Sequence, residues 1–203
     1  LKKNYIITLY NMKQTILCLD MEVLTPEIWE EVSKNTQIKE LMLTTKDIAD
    51  YDKLMKHRLE HMEKNLTLSK IEEVISTIDP LPAIDFLNRA REKMQVIILS
   101  DTFEEFAKPL IKKMNFPTIF CHNLIIENDK ITYKLRIKDQ KTKTVKKFKK
   151  LNFRTIAADS FNDTMLRKAD FYFFKPKKAT EAFPKIEIAN NYEELKNFID
   201  KSI

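Results

Sequence analysis

Glycine is absent from all 203 residues of the chain. At an ordinary usage near 7% about 14 would be expected, so chance does not account for the absence. It excludes every turn that depends on the residue without a Cβ, and tight backbone must be built by residues that carry one. Cysteine is nearly absent too. Cys18 and Cys121 lie in apolar stretches and are too few for a disulfide framework, so they read as buried, reduced thiols of a cytoplasmic protein. No apolar run approaches the roughly 20 residues of a membrane-spanning helix. Tyr5 to Tyr10 is too short for a signal sequence, and no small-residue cleavage site follows it. Internal repeats and low-complexity segments are also missing. His57, His61 and His122 read as partly exposed polar residues in preference to metal ligands.

What is present is ordinary for a soluble globular chain: 43% hydrophobic and 33% charged residues. The length suits one sizeable core with a small inserted subdomain. The net charge of +6 is mostly local, because Lys138 to Lys150 holds seven lysines against one aspartate. Aromatic residues hardly interleave this run, which argues for a solvated surface rather than a nucleic-acid contact.

Gln14 to Leu19 is a short apolar run ending abruptly at Asp20, the pattern of a buried strand with a carboxylate at its carboxyl end. Met94 to Leu99 repeats it and ends at Ser100-Asp101-Thr102. Phe153 to Ala158 repeats it again and ends at Asp159-Ser160. Asp170 to Phe174 and Lys185 to Ile188 are shorter strand candidates. Helical patterns lie between them at Ala83 to Lys93, Phe103 to Met114, Thr144 to Leu151, Asp163 to Lys168 and Tyr192 to Ile199. This alternation predicts an α/β fold with a Rossmann-like, open, largely parallel sheet. Pro26 to Pro80 interrupts it with helices only (Pro26 to Thr36, Tyr51 to Lys64, Ser69 to Thr77), a small cap inserted after the first strand, packed about Trp29. The predicted organisation is a core of residues 12–25 and 81–203, a cap of 26–80 and an extension of 1–11. Leu124 to Ile137 alternates apolar and polar residues about Asn128-Asp129-Lys130 and predicts a β-hairpin.

Three strands ending in polar residues concentrate chemistry, because open α/β sheets bind ligands beyond their carboxyl ends. Asp20-Met21-Glu22 can supply a nucleophile and an acid/base partner, or merely cap a helix. Ser100-Asp101-Thr102 offers hydroxyls and amides to a phosphate oxygen, or caps the helix after it. Asp159 and Asp163 lie four apart around a turn and can hold a hard cation directly and through its outer ligands. Lys149, ten residues before Asp159, can neutralise a transferring phosphoryl group, or be a surface lysine.

Taken jointly, D-x-E, then S-D-T, then a lysine, then D-S-F-N-D resembles the haloacid dehalogenase superfamily of phosphotransferases. The stretches CLDMEVLTPEIWEEV, TTKDIADYDKLMKHRL, VIILSDTFEEF, FPTIFCHNL and IAADSFNDTMLRKAD resemble its bifunctional phosphoserine phosphatase/homoserine phosphotransferase branch, related to bacterial ThrH proteins, from about Lys13 to Ile199. The resemblance implies that Asp20 is the nucleophile and becomes the aspartyl-phosphate, with Glu22 as acid/base. It implies Mg2+ held by Asp20, Asp159 and the Glu22 main-chain carbonyl, with Asn162 and Asp163 orienting ligands. Ser100 and the amide of Asp101 would hold the phosphoryl group and Lys149 would balance its charge. Glu27 would meet the substrate ammonium and Arg58 its carboxylate, through a fork that lysine cannot copy. The partners implied are the small molecules phosphoserine and homoserine, with no nucleic acid and no membrane. A homodimer is admitted but not required.

Two departures stand out. Relatives carry glycine at the junctions that read here Glu22-Val23, Pro82-Ala83 and Ala158-Asp159, while the flanking residues match. This predicts glycines omitted from an otherwise matching chain, with Cα spacings longer than 3.8 Å across 22–23 and 158–159. Glu22 stands where most of the superfamily has aspartate, and its extra methylene suits delivery to an alcohol besides water. Competing readings are a phosphomonoesterase for another small metabolite, a non-catalytic phosphoacceptor or binding module, and an RNA contact through Lys138 to Lys150, which added salt would weaken.

Overall fold

The computed structural model describes residues 14–44, 47–48, 50–80, 82–127, 130–159, 169–174 and 187–202. Seven strands form one sheet: β1 (Thr15–Leu19), β2 (Gln95–Phe103), β3 (Thr118–Glu127), β4 (Lys130–Lys134), β5 (Arg154–Asp159), β6 (Asp170–Phe174) and β7 (Glu187–Ala189), in the order β4-β3-β2-β1-β5-β6-β7. Every pairing is parallel except β3 with β4. The helices are α1 (Met21–Leu24), α2 (Ile28–Thr36), α3 (Tyr51–Asn65), α4 (Leu68–Thr77), α5 (Ala83–Lys93), α6 (Glu104–Lys113), α7 (Gln140–Lys150) and α8 (Tyr192–Ser202), with a 3-10 turn at Lys39–Met42. The predicted α/β sheet is present, and between β1 and α5 the described residues contain helices only. The expected helix at Asp163 to Lys168, and the extension 1–11, lie outside the described residues.

The apolar run of β1 is explained by burial on both faces. Leu17 and Leu19 join the larger core with α6 and the inserted helices, whereas Ile16 and Cys18 join a smaller one with Leu99, Val145 and Ala157. Each leucine, isoleucine or valine among them contributes about 1.5–3 kcal/mol on burial. Both thiols are buried, and burial pushes that of Cys18 up to about 12. Trp29 of α2 meets Phe106 of α6 edge-on with ring centres 5.4 Å apart, fastening the inserted helices to the sheet layer. Strand β3 starts earlier than the hairpin pattern suggests because its first half pairs with β2 and only its second half with β4. Among the described residues no helix is long and apolar enough to cross a membrane.

The predicted breaks at the glycine junctions are not found. Helix α1 runs through 22–23, with Val23 N–H donating to Asp20 O (3.1 Å) and Thr25 N–H to Met21 O (3.0 Å). Strand β5 runs through 158–159 in register with β1 and β6. Neither junction demands left-handed backbone, so a residue with a Cβ serves.

Left-handed backbone occurs elsewhere, at Gln37, Asn115, Phe116, Asp139 and Asn152. Helix α6 shows how an end is closed without glycine. Phe116 N–H reaches Ile111 O (2.9 Å) and Asn115 N–H reaches Lys112 O (3.2 Å), satisfying carbonyls that the helix leaves open. Phe116 performs this at φ 50 while its side chain is 69% exposed. Left-handed backbone costs a residue with a Cβ about 1–2 kcal/mol. Phe116→Gly should therefore stabilise the fold by about 0.5–1 kcal/mol, after allowance for the freer unfolded chain, measured by denaturant titration.

Candidate active site

The order of the sheet brings the carboxyl ends of β1, β2 and β5 together, and a cavity of about 100 Å³ opens there. Asp20, Glu22, Glu27, Arg58, Ser100, Asp101, Thr102 and Asp159 all line it, so eight of the residues singled out in the sequence share one site. Asn162 and Asp163 lie outside the described residues.

Asp20 leaves β1 and caps α1. Its Oδ2 accepts from Glu22 N–H at 3.1 Å and its own N–H donates to Ala158 O at 3.0 Å, which ties the ends of β1 and β5. Its Oδ1 receives the ammonium of Lys141 at 2.5 Å, and the same ammonium lies 3.2 Å from Asp159 Oδ2. All three residues are buried. Burial works to lower Lys141, but Asp159, Asp20 and Asp101 outweigh it and hold the ammonium well above its usual range. For Asp20 burial acts upward and Lys141 downward, with Asp159 and Glu22 adding to the rise.

Lys141 therefore occupies the place the sequence reading gave to Lys149. Lys149 lies exposed in the last turn of α7. The correction follows from direction. Helix α7 returns antiparallel to β5, so its first turn meets the carboxyl edge of the sheet. Eight residues on, about 12 Å along the axis, Lys149 lies toward the opposite edge, where Arg154 N–H bonds Gln14 O. The signal available was position at the start of this helix, not distance to Asp159.

On β2 three consecutive residues reach the cavity, although strand side chains normally alternate. The register explains it. Leu99 pairs with Phe120 and Phe103 with His122, so Ser100, Asp101 and Thr102 together face the single residue Cys121. Buried Gln140, in the first turn of α7, spans this bulge. Its Nε2 donates to Ser100 O at 2.5 Å and to Phe120 O at 3.2 Å, replacing rungs that the splayed strands cannot form. Tyr51 of α3 donates to Asp101 O at 2.6 Å, and Tyr133 bonds Asp52, so two phenols fasten the inserted helix to the sheet. Neither Gln140 nor Tyr51 is signalled by any pattern in the sequence.

His122 is buried at 2% exposure, contrary to its reading as a partly exposed residue. Its Nδ1 accepts from Arg136 N–H at 3.2 Å, and its Nε2 lies 3.6 Å from Asp101 Oδ1. Burial works to raise Asp101, yet the neighbouring His122 imidazole and the charge of Lys141 hold it below the usual carboxylate range. The hydroxyl of Thr102 is buried without a partner among the described residues.

The opposite wall carries Glu27 and Arg58. Glu27 caps α2 through Oε2, accepting from Glu30 N–H at 2.7 Å. Arg58 lies 4.5 Å over the Trp29 ring and donates from Nη2 to Leu43 O at 2.7 Å, while its Nε is buried without a partner among the described residues. One nitrogen of the fork is thus engaged by the protein and another is buried with no partner among the described residues.

Whether a divalent cation fits can be judged from charge. Asp20 and Asp159 set two buried carboxylates against one ammonium, with Glu22 and Asp101 beside them, an excess of negative charge on hard oxygen donors. That donor set suits Mg2+ better than softer metals. Among the described residues no group of three or more Asp, Glu, His or Cys side chains forms a metal cage. An ion held by these two carboxylates would therefore complete its shell with carbonyl, water or ligand oxygens.

Two stability tests follow. Lys141→Met leaves two buried carboxylates without their cation and should destabilise the fold by about 3 kcal/mol or more. Lys149→Ala should stay within about 0.5 kcal/mol of the parent; denaturant titration compares them. Burial pushes the carboxyl of Glu27 up to about 7, against the pull of Arg58 and with Glu22 adding to the rise. A raised acid favours the folded state below its unfolded value near 4.3, and this contribution is lost as pH climbs through about 7. Glu27→Gln should therefore gain melting temperature relative to the parent between pH 5 and pH 8.

No family model matches the chain. Individual proteins do. A phosphoserine phosphatase of Pseudomonas syringae pv. tomato is 47% identical over 190 residues, covering 89% of this chain and 80% of that protein. Phosphoserine phosphatase ThrH of Pseudomonas aeruginosa is 46% identical over 190 residues, covering 89% and 93%. Among solved structures, a substrate-bound phosphoserine phosphatase complex superposes with a TM-score of 0.74 at 18% identity, over 93% of this chain and 99% of the other. A phospho-aspartyl intermediate analogue of phosphoserine phosphatase gives 0.72 at 18% identity, over 92% and 99%. At that identity the superpositions establish the shared fold, and the Pseudomonas proteins establish the kinship. Strand tips, inserted helices and these relatives agree: the chain belongs to the ThrH-like phosphoserine phosphatases.

Proposed function

We propose that the chain is a phosphoserine phosphatase that works through a phosphorylated Asp20 and can also pass the phosphoryl group to homoserine. The observation that carries this reading is the pairing of two walls around one small cavity. Asp20, Ser100, Lys141 and Asp159 form one wall, and Glu27 with Arg58 forms the other. Phosphoserine presents matching groups: a phosphate for the first wall, an ammonium for Glu27 and a carboxylate for the Arg58 guanidinium.

In the proposed reaction a carboxylate oxygen of Asp20 attacks phosphorus in line, and the bond to the serine oxygen breaks. Glu22 gives its proton to that oxygen as serine leaves. The hydroxyl of Ser100 and the amide of Asp101 hold the phosphoryl oxygens, while Lys141 balances their charge in a buried setting where such contacts are strong. Glu22 then takes a proton from water, whose oxygen attacks phosphorus and frees Asp20. When the hydroxyl of homoserine replaces water, the product is phosphohomoserine. Asp20, Asp159 and the Glu22 carbonyl would hold Mg2+. Bound there, it shields the negative phosphoryl group from the negative nucleophile.

The test supplies protein and Mg2+ with phosphoserine, with and without homoserine, and identifies the products. Free phosphate is expected without homoserine and phosphohomoserine in addition with it, and Asp20→Asn should lower both by roughly a thousandfold or more. Activity of Asp20→Asn at the parent level would overturn the mechanism. Phosphate release with no phosphohomoserine would remove the transfer and leave the phosphatase.

A further inference from the structure

Outside the cavity, α3 carries a second group of ligands. His57 and His61 lie four residues apart, so they stack on one face of the helix, the spacing at which two imidazoles can reach one ion. Their ring centres are 4.7 Å apart. With a Zn–N distance of about 2.0–2.1 Å each ring centre lies about 3.2 Å from the metal, so two ligands at about 90–110° hold ring centres about 4.5–5.2 Å apart. The observed separation falls inside that range. Further, His57 Nε2 is buried without a hydrogen-bond partner among the described residues. A buried nitrogen left unpaired is costly, and an ion or water is what ordinarily accounts for it. His122, by contrast, has both ring nitrogens engaged.

We propose that His57 and His61 form a binding site for a late transition-metal dication of the Zn2+ type, completed by water. The ligand chemistry sets it apart from the carboxylate site: imidazole nitrogens take Zn2+, Ni2+ or Cu2+ and leave Mg2+ in solution. Its position gives it a consequence. A metal joining successive turns of α3 fixes the stretch that bears Arg58, whose guanidinium lines the cavity.

The experiment titrates Zn2+ into the 203-residue chain by calorimetry, with excess Mg2+ present to fill oxygen sites, and repeats it with His57→Gln, His61→Gln and the double variant. One Zn2+ per chain is expected, with a melting temperature that rises with Zn2+ but not with Mg2+. Each single substitution should weaken binding at least tenfold. In the unaltered protein, Zn2+ should shift the ring resonances of two of the three histidines, a readout that needs no variant to fold. Absence of saturable binding at about 100 µM Zn2+, or unchanged affinity in the double variant, would overturn the site, the latter by locating the ion elsewhere.

Discussion

Everything at the carboxyl edge of this sheet depends on one ammonium. Lys141 stands between Asp20 and Asp159, carboxylates that end neighbouring strands and would otherwise repel each other out of water. Isolated buried charges are costly, and a buried pair is tolerable only when geometry and further hydrogen bonds satisfy both members. Here the amide of Glu22 supplies one to the Asp20 carboxylate, and the main-chain bond from Asp20 N–H to Ala158 O holds the two strand ends in place. The arrangement still leaves negative charge uncompensated. That imbalance makes the edge receptive to a cation and, with one in place, to an anionic group.

The neighbouring strand solves a different problem. To present Ser100, Asp101 and Thr102 together, β2 must abandon its ladder with β3, and buried carbonyls left behind need donors. Gln140 provides them from the residue next to Lys141, so one turn of α7 both closes the bulge and delivers the charge. Tyr51 and His122 hold the bulge from other directions, by the Asp101 carbonyl and carboxylate respectively. Backbone geometry at the site is thus set by side chains that are far apart in sequence.

This division explains what could be read in advance. Strands β1, β2 and β5 were legible because burial on both faces writes an unbroken apolar run, and each run stops at a polar residue where the cavity begins. The helices between β1 and α5 were legible from their period. Lys141 was not, since seven lysines crowd one short stretch and only the direction of α7 tells them apart. Gln140 and His122 were hidden for a deeper reason: they answer vacancies created by a bulge, and nothing in β2 announces a bulge. The expectation of missing backbone at 22–23 and 158–159 failed because helix and strand geometry at those junctions suits any residue.

The chain without glycine closes its helices with Gln37, Asn115, Phe116 and Asn152 in left-handed backbone, and each accepts some strain in doing so. The same composition narrows the denatured ensemble. A residue with a Cβ has fewer conformations to surrender on folding than glycine has, a difference of about 0.4–1 kcal/mol per position where the native backbone is compatible. Among the described residues the left-handed backbone sits at helix ends, whereas the entropic gain applies at every position where glycine would otherwise stand. Dispensing with the most flexible residue therefore biases this sequence toward order before any tertiary contact forms.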